Sequence, residues 1–233
     1  MNAIVTGGTK GIGKAICLKL AANNCSLAVC ARNWTDLQNL KNEIAEKFPG
    51  VQVVLFKADL EKPKDVLDFA DFVNSEFKFV DILINNAGIF IPSAFLDEDE
   101  NAFEKQMQIN LNTPVVLSRI FGLKMRDQKK GHIFNICSVA SLNPAENAGS
   151  YSVTKFALLG LTKVLRMELK SFGVKVTAVL PGSTLTASWE GTTIPADKFV
   201  KPDDVADAIV NTLKMSPGAN VDEIIITPLG GDV

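Results

Sequence analysis

The hydrophobic pattern falls into short, continuously apolar runs separated by longer segments whose apolar residues recur every three to four positions. "AIV" near the N-terminus is the first such run. "SLAVCA" (26–31), "VQVVLFKAD" (51–59), "VDILINNAG" (80–88), "HIFNICS" (132–138), "VKVTAVLPG" (174–182) and "DEIIITP" (222–228) have the same character, giving seven expected strands. The intervening periodicity predicts helices after the glycine-rich turn "TGGTKGIG" and over 35–48, 63–77, 101–126, 151–171 and 202–214. Strands that are apolar throughout, alternating with amphipathic helices, require a parallel sheet covered on both faces. Right-handed crossovers make that sheet doubly wound, with ligands at the carboxyl ends of its strands. The expected architecture is therefore α/β, a single Rossmann-type domain over 1–233 with a seven-stranded parallel sheet. No repeat, low-complexity segment or linker divides it.

Composition changes this picture little. The 233 residues are 47% hydrophobic and 21% charged, with a formal net charge of -2, enough for one sizeable core. That charge leaves no electrostatic footprint for nucleic acid. No apolar run reaches the roughly 18 residues of a membrane span, and the N-terminus lacks the basic segment and apolar run of a signal peptide. Cys17, Cys25, Cys30 and Cys137 sit in apolar stretches without CxxC or metal-ligand spacing. They read as buried thiols in a reducing compartment, with no metal site expected. The expectation is a soluble, cytoplasmic protein that binds neither nucleic acid nor membrane.

Candidate chemistry lies at the strand ends. Gly7, Gly11 and Gly13 follow the first strand and open a helix, where a tight turn lets a pyrophosphate reach the helix N-terminus. The spacing departs from G-x-G-x-x-G, so that fingerprint does not apply as written. In NAD-binding Rossmann folds an acidic residue ends the second strand, but here Ala31 is followed by Arg32. A guanidinium can pair with a 2′-phosphate, and Lys10 in the glycine loop adds a second positive charge, so NADP(H) is the expected cofactor. The alternative is a pair of solvated surface cations. Asp59 and Asn85–Asn86 end strands three and four. They could line the cofactor crevice or simply satisfy backbone groups in a turn.

Tyr151, the one tyrosine in the chain, lies four residues before Lys155, so the two share a helix face. Lysine is common enough for coincidence to be a rival. The pairing nevertheless has a chemical reason, because an ammonium beside a phenol favours the phenolate and fits it for general acid–base work. Ser138, at the end of the fifth strand, could hydrogen-bond a substrate oxygen. A serine nucleophile would instead need a general base, and His132 stands six residues earlier, roughly 20 Å along the strand. His132 reads as a strand-start residue.

Taken together these residues resemble the short-chain dehydrogenase/reductase family along nearly the whole chain. "TGGTKGIG" is similar to its TGxxxGxG loop, "NNAG" to its NNAG motif, "ICS" with "YSVTK" to its Ser and YxxxK motifs, and "PGSTLT" to its PG segment. The resemblance implies hydride transfer between nicotinamide and a carbonyl or alcohol. It makes Tyr151 the general acid/base, Lys155 the holder of the nicotinamide ribose, Ser138 the substrate-orienting hydroxyl, and Asn110 the holder of a water in a proton relay to Lys155. By the same resemblance Gly7, Thr9, Lys10, Gly11, Ile12, Gly13 and Arg32 meet the cofactor. So do Asp59 and Leu60 at the adenine, and Asn86, Ala87 and Gly88 at its ribose. Pro181, Gly182, Thr184 and Thr186 meet the nicotinamide end. Thr184 stands where the family usually has an aliphatic residue. A homodimer or homotetramer is implied through the two long helices.

Substrate identity is open at this level. Segments 89–100, 139–150 and 183–200 are expected to form the pocket, with Trp189 and Phe199 supplying apolar surface. A small aldehyde, ketone or diketone suits a compact apolar pocket. A 3-oxoacyl thioester on a carrier protein would use a basic patch such as Lys124, Arg126, Lys129 and Lys130, although such a cluster is commonly a solvated helix end. A pterin, as in sepiapterin reductase, would want an acid such as Asp232. A protein that only senses NADPH is the non-enzymatic alternative.

Overall fold

A computed structural model describes residues 1–231. Its seven strands are β1 (Asn2–Thr6), β2 (Ser26–Ala31), β3 (Val53–Lys57), β4 (Ile82–Asn85), β5 (Gly131–Ile136), β6 (Val174–Pro181) and β7 (Glu223–Ile226). They form one sheet in the order β3-β2-β1-β4-β5-β6-β7, and every neighbouring pair is parallel. The chain winds outward from β1 to β3, returns to the other side of β1 as β4, and winds outward again. That reversal opens a crevice between the carboxyl ends of β1 and β4.

The described residues form the helices α1 (Gly11–Ala22), α2 (Trp34–Lys47), α3 (Pro63–Glu76), α4 (Glu100–Met107), α5 (Thr113–Gln128), α6 (Gly149–Leu169) and α7 (Pro202–Leu213), all but α4 lying on the sheet. Because successive strand residues point to opposite faces, Ala3 and Val5 join Ile16, Leu40 and Ile209 on one side, packed under α1, α2 and α7. Ile4 and Leu83 join Phe69, Phe121 and Leu165 on the other, under α3, α5 and α6. A continuously apolar strand is what two such cores demand. Each fully buried Leu or Phe contributes roughly 1.5–3 kcal/mol. Among the described residues, no helix is long and apolar enough to cross a membrane.

The seven strands fall where the pattern places them: β1 runs one residue further at each end, β2 has the expected bounds, and the others have shorter regular cores. The helix expected over 101–126 is instead two helices joined by a π turn at Gln108–Asn112. Pro114 accounts for the break. It has no N–H to offer the carbonyl of Asn110, and its ring would press on that carbonyl in an unbroken α-helix. Apolar periodicity continues on both sides of the break, so it does not register there. Asp232, the candidate pterin partner, lies outside the described residues.

His132 is a strand-start residue buried within the sheet, 5% exposed. Its ring stacks on Phe134 with centroids 3.9 Å apart, and its Nε2 lies 2.8 Å from Thr177 Oγ1. Thr177 donates its own hydroxyl proton to the Val221 carbonyl. The His132 Nε2 therefore carries the hydrogen and donates it, which fixes the neutral tautomer. Burial, with Lys175 adding to it, pushes the imidazole down to about 3. The unfolded chain then binds a proton near pH 6.5 that the native state refuses, so native stability falls as pH drops through that window. Between pH 7 and 5 this one group should cost about 2 kcal/mol. Urea unfolding across that range should show His132→Gln losing correspondingly less than the parent.

Candidate active site

A cavity of about 450 Å³ opens where the carboxyl ends of β1 to β4 meet. Its floor is the glycine turn. Gly7 and Gly11 both have positive φ, +64° and +49°, which L side chains rarely adopt. A Cβ on Gly13 would sit 2.3 Å from the Gly7 carbonyl oxygen and 2.4 Å from Asn86 Nδ2. The turn is thus a bare-backbone cradle against the N-terminus of α1, where N–H groups and the helix dipole favour an anion. Thr9, Lys10 and Ile12 complete its wall.

Asn86 holds this cradle in place. Its Nδ2 donates to the carbonyls of Thr6 (2.8 Å) and Gly7 (3.1 Å), while the backbone N–H groups of Asn86 and Ala87 both donate to Thr6 Oγ1 at 3.0 Å. Asn86, Ala87 and Gly88 also line the cavity. Asn85 has a different place. It is buried in the sheet, donating to Asn135 Oδ1 (2.7 Å) and Ser118 Oγ (3.1 Å). Both readings left open for "NN" therefore fall to Asn86, which lines the cavity and ties down backbone carbonyls, whereas Asn85 does neither and braces the sheet through side chains. Asp59 fits both of its readings, since Oδ1 accepts from the Glu61 N–H at 3.3 Å and the residue lines the cavity beside Leu60. Arg32 lines the same cavity and makes no ion pair among the described residues.

Beyond the cavity's inner end, α6 carries Tyr151 and Lys155. The Lys155 ammonium lies 5.5 Å from the Tyr151 ring centre. It is 4% exposed and donates to the Ile136 carbonyl at 2.8 Å. A buried ammonium with one carbonyl partner keeps donor capacity for something else. A Cβ on Gly88 would lie 3.3 Å from Asn110 Oδ1 and 3.6 Å from Lys155 Nζ, so the end of β4, the π turn and α6 converge at one point. Both polar atoms of the Asn110 side chain have protein partners there. Oδ1 accepts from the Ile89 N–H (2.8 Å), and Nδ2 donates to the Ile89 carbonyl (2.9 Å) and Thr154 Oγ1 (3.1 Å).

Ser138 lies two residues beyond the regular end of β5. It caps a short 3-10 turn, its Oγ accepting from the Ala140 N–H at 3.1 Å, which leaves the hydroxyl proton free to donate. Pro181 ends β6. Thr184, after Gly182, donates to that glycine's carbonyl at 2.8 Å. Thr186 reaches back toward the glycine turn, its methyl 3.0 Å from a Cβ position on Gly11, and lines the cavity. Tyr151, Lys155, Ser138, Pro181, Gly182 and Thr184 lie outside the cavity's lining.

The family model described as "short chain dehydrogenase" matches residues 1–194. The chain belongs to the short-chain dehydrogenase family. An uncharacterized oxidoreductase of Staphylococcus aureus (strain MRSA252) is 32% identical, the match covering 97% of this chain and 96% of that one. A metagenomic short-chain oxidoreductase in complex with NADP superposes with a TM-score of 0.85 at 28% identity, covering 98% of this chain and 96% of that one. L-sorbose reductase from Gluconobacter frateurii, complexed with NADPH and L-sorbose, gives 0.89 at 25% identity over 97% and 94%.

Several residues of this short-chain dehydrogenase site escape a linear reading. Thr6 and Asn33 look like ordinary turn residues. Glu98 accepts a hydrogen bond from the buried Ser150 hydroxyl and another from Gln106 Nε2 at 2.9 Å. It thereby fastens the segment after β4 to the turn of helix that bears Tyr151. Within that segment Phe90 packs edge-on against Tyr151, centroids 5.0 Å apart. Trp189 packs on Phe199 at 4.9 Å, and Phe199 is buried rather than part of an open pocket wall. The basic residues 124–130 lie at the C-terminal end of α5, where Lys130 pairs with Asp81 just before β4 begins. That is the amino end of the strands, opposite the carboxyl ends where the cavity lies. Cys30 and Cys137 are buried thiols pushed up to about 12 and about 11 by desolvation. Among the described residues no cluster of three or more His, Cys, Asp or Glu side chains could hold a metal ion.

Proposed function

We propose that this chain is an NADPH-dependent carbonyl reductase for small aldehydes, ketones or diketones. The observation that carries the reading is the pairing of Tyr151 with the buried Lys155, beside a glycine cradle whose outer end presents Arg32, neither cation making an ion pair among the described residues. The cradle fits a dinucleotide, since backbone fills the space a side chain would need. Gly7 to Gly13 would hold its pyrophosphate, Asp59 and Leu60 its adenine, and Arg32 with Lys10 a 2′-phosphate. Lys155 and the segment from Pro181 to Thr186 would hold the nicotinamide end. When bound, the nicotinamide supplies or accepts the hydride.

The chain's own groups manage the proton. Ser138 donates its free hydroxyl hydrogen to the carbonyl oxygen and orients it. Tyr151 gives its phenolic proton to the same oxygen as negative charge develops there, and the alcohol leaves. Lys155 stabilises the phenolate left behind until solvent returns the proton. With both Nδ2 hydrogens of Asn110 spent on protein partners and its Oδ1 already accepting from Ile89, and with Pro114 unable to donate to the Asn110 carbonyl, the backbone oxygen is the acceptor of Asn110 best suited to hold a relay water. The location of the basic cluster away from the cavity weighs against a carrier-bound thioester. Exposed Val153, Phe156, Val164 and Met167 on α6 support a homo-oligomer.

Following NADPH absorbance over a panel of aldehydes, diketones, a 3-oxoacyl thioester and sepiapterin tests the reading, with NADH as control. Turnover requiring NADPH is expected. Cofactor binding without turnover of any member would favour a sensor. Arg32→Ala should weaken NADPH binding about 10- to 100-fold, the scale of a lost charge-assisted bidentate contact, while leaving NADH binding within about twofold.

A further inference from the structure

The cavity's outer end holds a carboxylate as well as its two cations. Lys10 reaches from the glycine turn to Asp36 in the first turn of α2, Nζ to Oδ2 3.3 Å. All three of Lys10, Arg32 and Asp36 line the cavity. Asp36 is held in position by its own backbone, whose N–H donates to the Asn33 cap at 3.2 Å. Its side chain is 27% exposed against 70% for Lys10, so the acid is the fixed partner and the lysine the mobile one. A 2′-phosphate therefore meets two positive charges and one negative, with one of the positives already engaged.

We propose that Asp36 sets the cofactor preference by holding Lys10: NADP(H) must take the ammonium from the carboxylate, whereas NAD(H) leaves the pair intact. This rests on the NADPH reading above. The pair is partly exposed and weak by itself, but replacing it with a phosphate contact also leaves Asp36 facing a dianion. Preference for NADP(H) is thereby restrained without being abolished. Asp36 acts here on cofactor binding alone, which oxidised cofactor without substrate reports.

Calorimetric titration of NADP+ and NAD+ into the full chain, Asp36→Asn, Lys10→Met and the double variant is the experiment. Asp36→Asn should bind NADP+ about three- to tenfold tighter, with NAD+ unchanged within about twofold. The gain should shrink at high salt and largely vanish in the Lys10→Met background. Unchanged or weaker NADP+ binding by Asp36→Asn would overturn the proposal, as would a gain that persists at full size without Lys10. Failure of the underlying reading looks different, since the parent chain itself would then bind NAD+ more tightly than NADP+. Thermal unfolding without cofactor verifies that the variants are folded.

Discussion

Tyr151→Phe should reduce turnover about a thousandfold, within the 10²- to 10⁴-fold range that a positioned general acid supplies, while NADPH still binds. At about 1.4 kcal/mol per decade this is a loss of roughly 4 kcal/mol of transition-state stabilisation. The substitution is unusually clean here. Phenylalanine keeps the ring that packs edge-on against Phe90, and the phenolic hydroxyl makes no hydrogen bond to another described residue, so no buried partner is orphaned. Stability should move by no more than about 0.5 kcal/mol. Steady-state kinetics beside a cofactor titration separates the two properties. Turnover that survives in Tyr151→Phe would remove the catalytic role assigned to that residue, whereas loss of cofactor binding would mean that the phenol mainly supports the cofactor.

The parts of this site that a linear reading finds are those written in contiguous residues at the end of a strand. The glycine turn, "NNAG" and the Tyr151–Lys155 step each occupy a few positions, and the helical repeat puts the last pair on one face without any knowledge of the fold. The sheet was legible for a similar reason, because two-sided burial makes most positions of each strand apolar. Relations across the fold were hidden. Lys10 and Asp36 are 26 residues apart and meet only because β1 and β2 lie side by side. Glu98 lies in a run of acids within the segment expected to border the pocket, and nothing local to that run tells that this one is drawn inward by Ser150 and Gln106. The division of labour between Asn85 and Asn86 follows from the pleat, which turns one side chain into the sheet and leaves the next at its end. The π turn had a local sign in Pro114, but apolar periodicity continuing through it outweighed that sign.

The second large effect belongs to Gly13. Gly13→Ala should weaken NADPH binding by at least about 100-fold and destabilise the chain by about 1–3 kcal/mol, the usual cost of overpacking a filled site. The new methyl would overlap the Gly7 carbonyl oxygen at 2.3 Å and Asn86 Nδ2 at 2.4 Å. Neither neighbour is the loose end of a flexible chain. The Gly7 oxygen is backbone, and Asn86 Nδ2 is tied to both Thr6 and Gly7 carbonyls. Relief must come from the turn moving outward, which displaces the N–H groups proposed to hold the pyrophosphate and loosens the end of β4 from that of β1. Gly160 in α6 is the contrasting case. A Cβ there meets nothing within 4 Å, so Gly160→Ala should stabilise by about 0.5–1 kcal/mol through helix propensity. Cofactor titration and urea unfolding on the two variants distinguish a glycine required by space from one that is merely tolerated. Equal behaviour of the two would mean that the cradle relaxes more readily than its contacts imply.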